Sequence, residues 1–236
     1  MSLTAFTRSV GSAVGSAVGS AANRALDLAL PALCAGCGLE GPPLCDECRP
    51  AVDVRLGAVP GVPLGLPAEI PAPLLQLEWC APFTGVTRNA LHKLKYGGER
   101  RLAAPLGDAI ARRWSKAGAG GDVLLPVPAS PDRVRERGYD QAVLLAHAAA
   151  RRLELPTVSA LARSRATAAQ FDLDRKARTT NVAGAFRLVD PVAVRGRWIV
   201  LVDDVVTTGA TLAACAATLL EGGAIAVSAV TVARER

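Results

Sequence analysis

Two stretches of this sequence join residue types that can do chemistry to a spacing that would let them. The first runs Val200-Leu201-Val202-Asp203-Asp204-Val205-Val206-Thr207-Thr208-Gly209-Ala210-Thr211-Leu212. An apolar strand leads into two acids, a Thr/Gly turn and then a helix. A strand ending at the acids sets Asp203 and Asp204 at the rim of a sheet, where open α/β sheets bind ligands. The turn then offers successive backbone N–H groups at a helix N-terminus, a cradle for phosphate. Gly209 lets the backbone come close, and Thr207, Thr208 and Thr211 add hydroxyl donors. The carboxylates can accept hydrogen bonds from ribose hydroxyls, directly or through a hydrated Mg²⁺. Phosphate donors beside diol acceptors describe a ribose 5-phosphate pocket. The plainer alternative is an ordinary strand–turn–helix with solvated acids.

The second stretch is Cys34-Ala-Gly-Cys37, seven residues, then Cys45-Asp-Glu-Cys48. Two CxxC pairs suit tetrahedral Zn²⁺, since each tight turn supplies two thiolates. Four thiolates leave no open coordination position, so the site reads as structural, holding together a segment too small for a core of its own. Redox disulfides or unligated thiols are the alternatives. Cys80 and Cys215 each lie alone in apolar sequence and read as buried, inert thiols. His92 and His147 have no partner at ligand spacing.

These groups need elements to position them. Leu75–Pro82, Asp122–Pro126, Thr157–Leu161, Trp198–Val202 and Ile225–Val232 read as strands. Val86–Tyr96, Leu102–Lys116, Asp140–Leu153 and Thr211–Leu220 read as helices. Apolar strands alternating with helices imply an α/β fold, a parallel sheet covered on both faces. Before it, residues 1–24 are a low-complexity extension in which VGSA recurs three times from Val10. A short helix, Ala22–Leu30, follows. Residues 25–50 form the cysteine knuckle. Residues 51–74, dense in Pro and Gly, read as an extended linker, and residues 75–236 as the main domain.

Composition narrows the classes. Half of the 236 residues are hydrophobic, which excludes wholesale disorder. No run approaches the roughly 18 apolar residues of a membrane span, and Gly and Ser interrupt the N-terminal segment too often for a signal peptide. The expected location is therefore cytoplasmic. The formal net charge is +6, and the basic excess sits in residues 75–236, with 23 basic and 15 acidic side chains. Such a surface favours an anionic partner, a phosphorylated metabolite or nucleic acid; a solvated arginine-rich surface is the alternative.

The Val200–Leu212 segment resembles the phosphoribosyl pyrophosphate (PRPP) binding motif of type I phosphoribosyltransferases. The cysteine knuckle narrows the resemblance to the ComF-type branch, also called GntX. So do His92-Lys93-Leu94-Lys95-Tyr96-Gly97, and Pro126-Val127-Pro128 followed by Arg133, Arg135, Arg137, Gly138 and Gln141. Arg163, Thr167, Gln170, Arg178, Asn181 and Gly184-Ala185-Phe186 add to it. The likeness covers about residues 26–236. Tyr139-Asp140 departs from it, since members more often carry an aromatic residue and Asn there.

The resemblance implies a type I phosphoribosyltransferase-like sheet flanked by helices, with Asp203 and Asp204 on the ribose hydroxyls of PRPP. It implies the backbone of Val205, Val206, Thr207, Thr208, Gly209, Ala210 and Thr211 on the 5-phosphate. Val127, Pro128, Arg133 and Arg137 would form the loop that meets pyrophosphate, which in the superfamily often carries a cis non-proline peptide. Residues 162–185 would be the loop that closes over reactants. Cys34, Cys37, Cys45 and Cys48 would hold Zn²⁺, and Mg²⁺ would arrive with PRPP. The implied activity is phosphoribosyl transfer to an unidentified acceptor. The alternative is a non-catalytic competence accessory protein acting with DNA-uptake machinery, single-stranded DNA and a competence helicase.

Overall fold

The computed structural model describes residues 32–60, 70–117, 120–163 and 184–235. Two elements form a short antiparallel pair at the start, β1 (Ala32–Leu33) and β2 (Glu40–Gly41). The main sheet is built from β3 (Leu77–Pro82), β4 (Val123–Pro126), β7 (Trp198–Val206) and β8 (Ala226–Arg234). Its order is β3-β8-β7-β4, and every neighbouring pair is parallel. The central strand β7 carries Ile199, Val200, Leu201 and Val202, all fully buried, as a strand covered on both faces requires.

Alternate residues of that strand face opposite layers. Val200 and Val202 join a core formed with α1 (Gly85–Tyr96), α2 (Ala103–Ala117) and α4 (Gln141–Leu153). Ile199 and Leu201 join a second core with α5 (Ala210–Glu221) and a small antiparallel ribbon, β5 (Leu161–Arg163) and β6 (Phe186–Leu188). The helix pair α2 and α4 packs closely at Gly107, where an added Cβ would stand 2.4 Å from Ala148 Cβ. Because the main sheet is parallel, Pro82, Pro126, Val206 and Arg234 end its strands on one edge.

The α/β architecture expected from the sequence is therefore observed, with local differences. The expected strand Thr157–Leu161 contributes one bridge, Leu124 to Thr157, and joins β5 only at Leu161. A helix absent from the sequence reading, α3 (Pro131–Arg137), fills part of what reads as a loop. It opens on Pro131 and stops at Gly138, which takes a left-handed conformation (φ 75°). β7 continues through the two acids to Val206 rather than ending at Val202, because β8 pairs with it as far as Arg234. Residues 1–24, the expected helix Ala22–Leu30 and most of the expected closing loop lie outside the described residues.

The knuckle does not stand apart from the sheet. Ala35, Leu44 and Val52 are buried in the same core as α1 and α2. Residues 49–59, the end of the expected knuckle and the start of the expected linker, are docked. Arg49–Val52 form a short 3₁₀ turn, and the Arg55 amide donates to the Cys80 carbonyl at 2.9 Å along the outer edge of β3. Glu78, with no solvent exposure, accepts from Arg113 Nε at 2.9 Å and from Gln76 Nε2 at 2.8 Å. Arg113 also donates to the carbonyls of Arg55 and Ala58, each at 2.7 Å.

Candidate ribose-phosphate crevice and cysteine cluster

The register of β7 sets where its acids stand. On one side β8 accompanies it to Val206; on the other, β4 stops at Pro126, opposite Val202. Beyond that point the chain of β4 turns away, the Val127 amide donating to the Val202 carbonyl at 2.9 Å. Asp203 and Asp204 thus line a step in the sheet edge next to the loop that follows β4.

Consecutive strand residues point to opposite faces, and the two acids do so. Asp204, buried, turns toward α1, where Lys95 Nζ lies 2.5 Å from its Oδ2. Asp203 lies near enough to Cys215 of α5 for its charge to push that thiol's pKa up, adding to the effect of burial. Each carboxylate also accepts from the next backbone amide, Asp204 N to Asp203 Oδ1 at 2.8 Å and Val205 N to Asp204 Oδ1 at 2.7 Å. Burial first and the Asp204 charge second push the Asp203 carboxyl well above the ordinary range.

After β7, Thr207 and Thr208 are exposed and Gly209 caps α5. Gly209 has φ 79°, a conformation that favours glycine. The first turn of α5 points amides with no intrahelical partner at the crevice. Thr208 Oγ1 accepts from Ala210 N at 3.3 Å. Pro71 packs on this turn, so close that a Cβ on Gly209 would stand 2.5 Å from its Cγ. The structure thus keeps Asp203, Asp204 and Val205 to Thr211 as one contiguous strand–turn–helix.

The loop after β4 has Val127 buried and Arg133 exposed. Arg137 donates to Gln141 Oε1 at 2.8 Å and stacks on Tyr96, its guanidinium 4.9 Å from the ring centre. The loop is closed by Asp140, which accepts from Ala129 N and Ala142 N, both at 2.9 Å. One carboxylate therefore caps α4 and clasps the loop's start, which gives the departing residue at this position a defined task. The cis non-proline peptide implied for this loop is not found; among the described residues the cis bond is Ala72–Pro73.

Sequence analysis places Lys95 only within the motif that carries the resemblance, and it gives Asp140 and Pro71 no role. Asp140 had a legible signal, an acid directly before a helical run. The contacts of Lys95 and Pro71 are tertiary and have none.

The four knuckle sulfurs gather within 4.8 Å of one another. Cys34 and Cys45 are 3.6 Å apart, Cys37 and Cys45 3.8 Å. A tetrahedral ZnS₄ centre with bonds of about 2.3 Å has sulfurs about 3.8 Å apart, so the cluster can hold zinc. Burial pushes the Cys34 thiol up, but amide donors from Cys45, Cys37 and Gly36 outweigh it and bring the pKa to about 6. The low value belongs to Cys34 and not to the set: Cys45, beside Glu47, is pushed up to about 12 and Cys48 is raised, so a metal would displace protons from those thiols on binding. Cys80 and Cys215 are buried, as expected.

Residues 140–236 match the family model described as "Phosphoribosyl transferase domain". The chain is 33% identical over 219 residues to "DNA utilization protein YhgH" of Salmonella typhi, covering 85% of this chain and 96% of that protein. It is 39% identical over 93 residues to "Competence protein F" of Haemophilus influenzae, covering 39% and 41% of the two chains. Against "Competence protein ComFC" of Bacillus subtilis the identity is 30% over 156 residues, covering 64% and 61%. A parallel sheet with its acids at the strand end, a four-cysteine cluster ahead of it and these likenesses agree: the chain belongs to the ComF family and carries a phosphoribosyltransferase-like domain.

Proposed function

We propose that the crevice at the ends of β4 and β7 binds the ribose 5-phosphate part of PRPP, and that the chain transfers the phosphoribosyl group to an acceptor still to be identified. One observation carries the reading. The aspartate pair stands at an open step of the sheet edge, directly ahead of a glycine-capped helix N-terminus. The amides of Val205 to Thr211 and the threonine hydroxyls would hold the 5-phosphate. Asp203 and Asp204 would accept from the ribose hydroxyls. Val127, Pro128, Arg133 and Arg137 would face the pyrophosphate, for which a forked, permanently charged guanidinium is suited.

In such a transfer the bond from ribose C1 to pyrophosphate breaks, and the electron pair leaves with the pyrophosphate. Positive charge develops on the ribose and is quenched by the acceptor's lone pair, the acceptor's proton passing to solvent or to a base. Mg²⁺ bound with PRPP would stabilise the charge on the leaving group. The chain's own part is to fix the sugar by its hydroxyls and phosphate, so that C1 and the acceptor meet in reacting geometry. Asp203 and Asp204 are the carboxylates nearest that task. Zinc at Cys34, Cys37, Cys45 and Cys48 would act structurally.

A second reading draws on the relatives named for competence and DNA utilization. In it the fold is retained as a binding module working with single-stranded DNA and a competence helicase in the cytoplasm. The basic excess of residues 75–236 is compatible with it, while the few aromatics disfavour extensive base stacking. Pyrophosphate release from PRPP across a panel of nitrogenous acceptors separates the two. Release that needs Asp203 and Asp204 supports the transferase; no release with any acceptor, alongside salt-sensitive DNA binding, supports the module.

A further inference from the structure

Helix α1 touches both chemical centres of the molecule. At its start, Val86 lies against the knuckle, its Cγ1 3.2 Å from where a Cβ on Gly36 would sit. Thr87, buried, donates its hydroxyl to the Ala51 carbonyl at 3.0 Å, three residues past Cys48. In its middle, Ala90, Leu91 and Leu94 share a core with Ala35, Leu44 and Val52. In its last turn, Lys93 Nζ donates to the carbonyls of Leu33 and Cys34 at 3.3 and 3.5 Å. Two residues on, Lys95 Nζ is paired with Asp204. Positions two apart lie on opposite sides of a helix. The last turn of α1 is therefore held between a cysteine of the cluster and an aspartate of the crevice. Both cations also sit where the helix dipole favours them.

We propose that α1 is a strut. The folded knuckle, through Lys93 and Thr87, sets where Lys95 holds Asp204, so zinc at the cysteine cluster tunes the crevice for its ligand. Lys93 is then a positioning residue that acts on the crevice without touching it. Each contact is modest, and a coupling of this kind changes an affinity by about three- to tenfold. The ligand half of this inference rests on the ribose 5-phosphate reading; the geometric half does not.

The test uses the full zinc-loaded chain and two readouts, calorimetric affinity for ribose 5-phosphate and amide hydrogen exchange at Asp204 and Val205. Lys93→Met should keep its zinc and helix content, bind ribose 5-phosphate about three- to tenfold more weakly and exchange severalfold faster at those amides. Lys93→Arg, which keeps the donors, should restore both. Chelating zinc from the wild-type chain should shift both readouts the same way and add little in Lys93→Met. Unchanged exchange in Lys93→Met, or effects of mutation and chelation that simply add, would overturn the strut. A wild-type chain that binds no ribose 5-phosphate would refute the ligand reading, and exchange would still decide the strut. Should chelation unfold the chain, the comparison of Lys93→Met with Lys93→Arg decides it.

Discussion

Lys95 Nζ and Asp204 Oδ2 stand 2.5 Å apart, joining α1 to the end of β7, with the lysine side chain 20% and the aspartate side chain 7% exposed. The pairing divides the two acids unequally. Asp204 has a cation in contact, whereas Asp203, half-buried, is governed by desolvation and by the charge of its neighbour, which outweigh the more distant Lys95.

That inequality sets a trade between stability and binding at Asp203. Its folded pKa lies above the ordinary carboxylate value that it takes in the unfolded chain. Between those two pH values the folded state binds more protons, so stability falls as pH rises through the window. Asp203→Asn removes that slope. The variant should melt about 2–4 °C above wild type at pH 7.5, converge with it toward pH 4, and lose ribose 5-phosphate binding. Melting curves across pH check it; a variant less stable at pH 7.5 contradicts it.

Gly209→Ala meets two obstacles, a φ of 79° and a Cβ 2.5 Å from Pro71 Cγ. The expected cost is about 1–3 kcal/mol. Phosphate affinity should fall at least tenfold as the turn opens. Pro71→Ala in the same chain should recover part of the stability by relieving the contact. Denaturant titration of the single and double variants measures this, and equal stabilities would remove Pro71 from the account.

Gly36→Ala tests the cysteine cluster without removing a ligand. Its Cβ would fall 2.4 Å from Cys48 Sγ. The thiol must move, and the variant should release zinc to a colorimetric chelator at least tenfold faster than wild type. Equal release rates would mean that Cys48 is free to shift and that the tight turn is not needed.

Glu78→Ala leaves the buried guanidinium of Arg113 without its carboxylate and frees residues 55–59 from the edge of β3. Removing one partner of a buried ion pair costs about 3–5 kcal/mol. Chemical denaturation should show that loss, and proteolysis should cut near residues 55–60 first. A loss under about 1 kcal/mol would show that the docking does not depend on Glu78.

The central strand was legible because four successive aliphatic residues, Ile199 to Val202, leave a chain few options but a strand buried on both faces. The strand–turn–helix after it was legible for the same reason, since acids, threonines and glycine follow that strand without a break. Helix α3 was missed because none of its residues is buried, so it has no apolar period to read. Its signals were confined to its ends, Pro131 and Asp132 at the start and Arg135, Arg137 and Gly138 at the stop. Residues 51–59 read as the start of the 51–74 linker because proline and glycine dominate that stretch, while what docks them, Val52 in the core and the carbonyls of Arg55 and Ala58 on Arg113, depends on distant partners. Lys95 is the same case. A lysine at a helix end belongs equally to solvent or to a site until the strand it faces is known.

The central claim is that the end of β7 and the start of α5 grip a sugar phosphate. Calorimetric titration of the zinc-loaded chain with PRPP and Mg²⁺, alongside the Asp203→Asn, Asp204→Asn double variant, tests it most directly. Saturable binding at one site per chain, lost in a double variant that still melts cooperatively, is the expected result. Heat absent from the wild-type titration, or the same affinity in both chains, would contradict it.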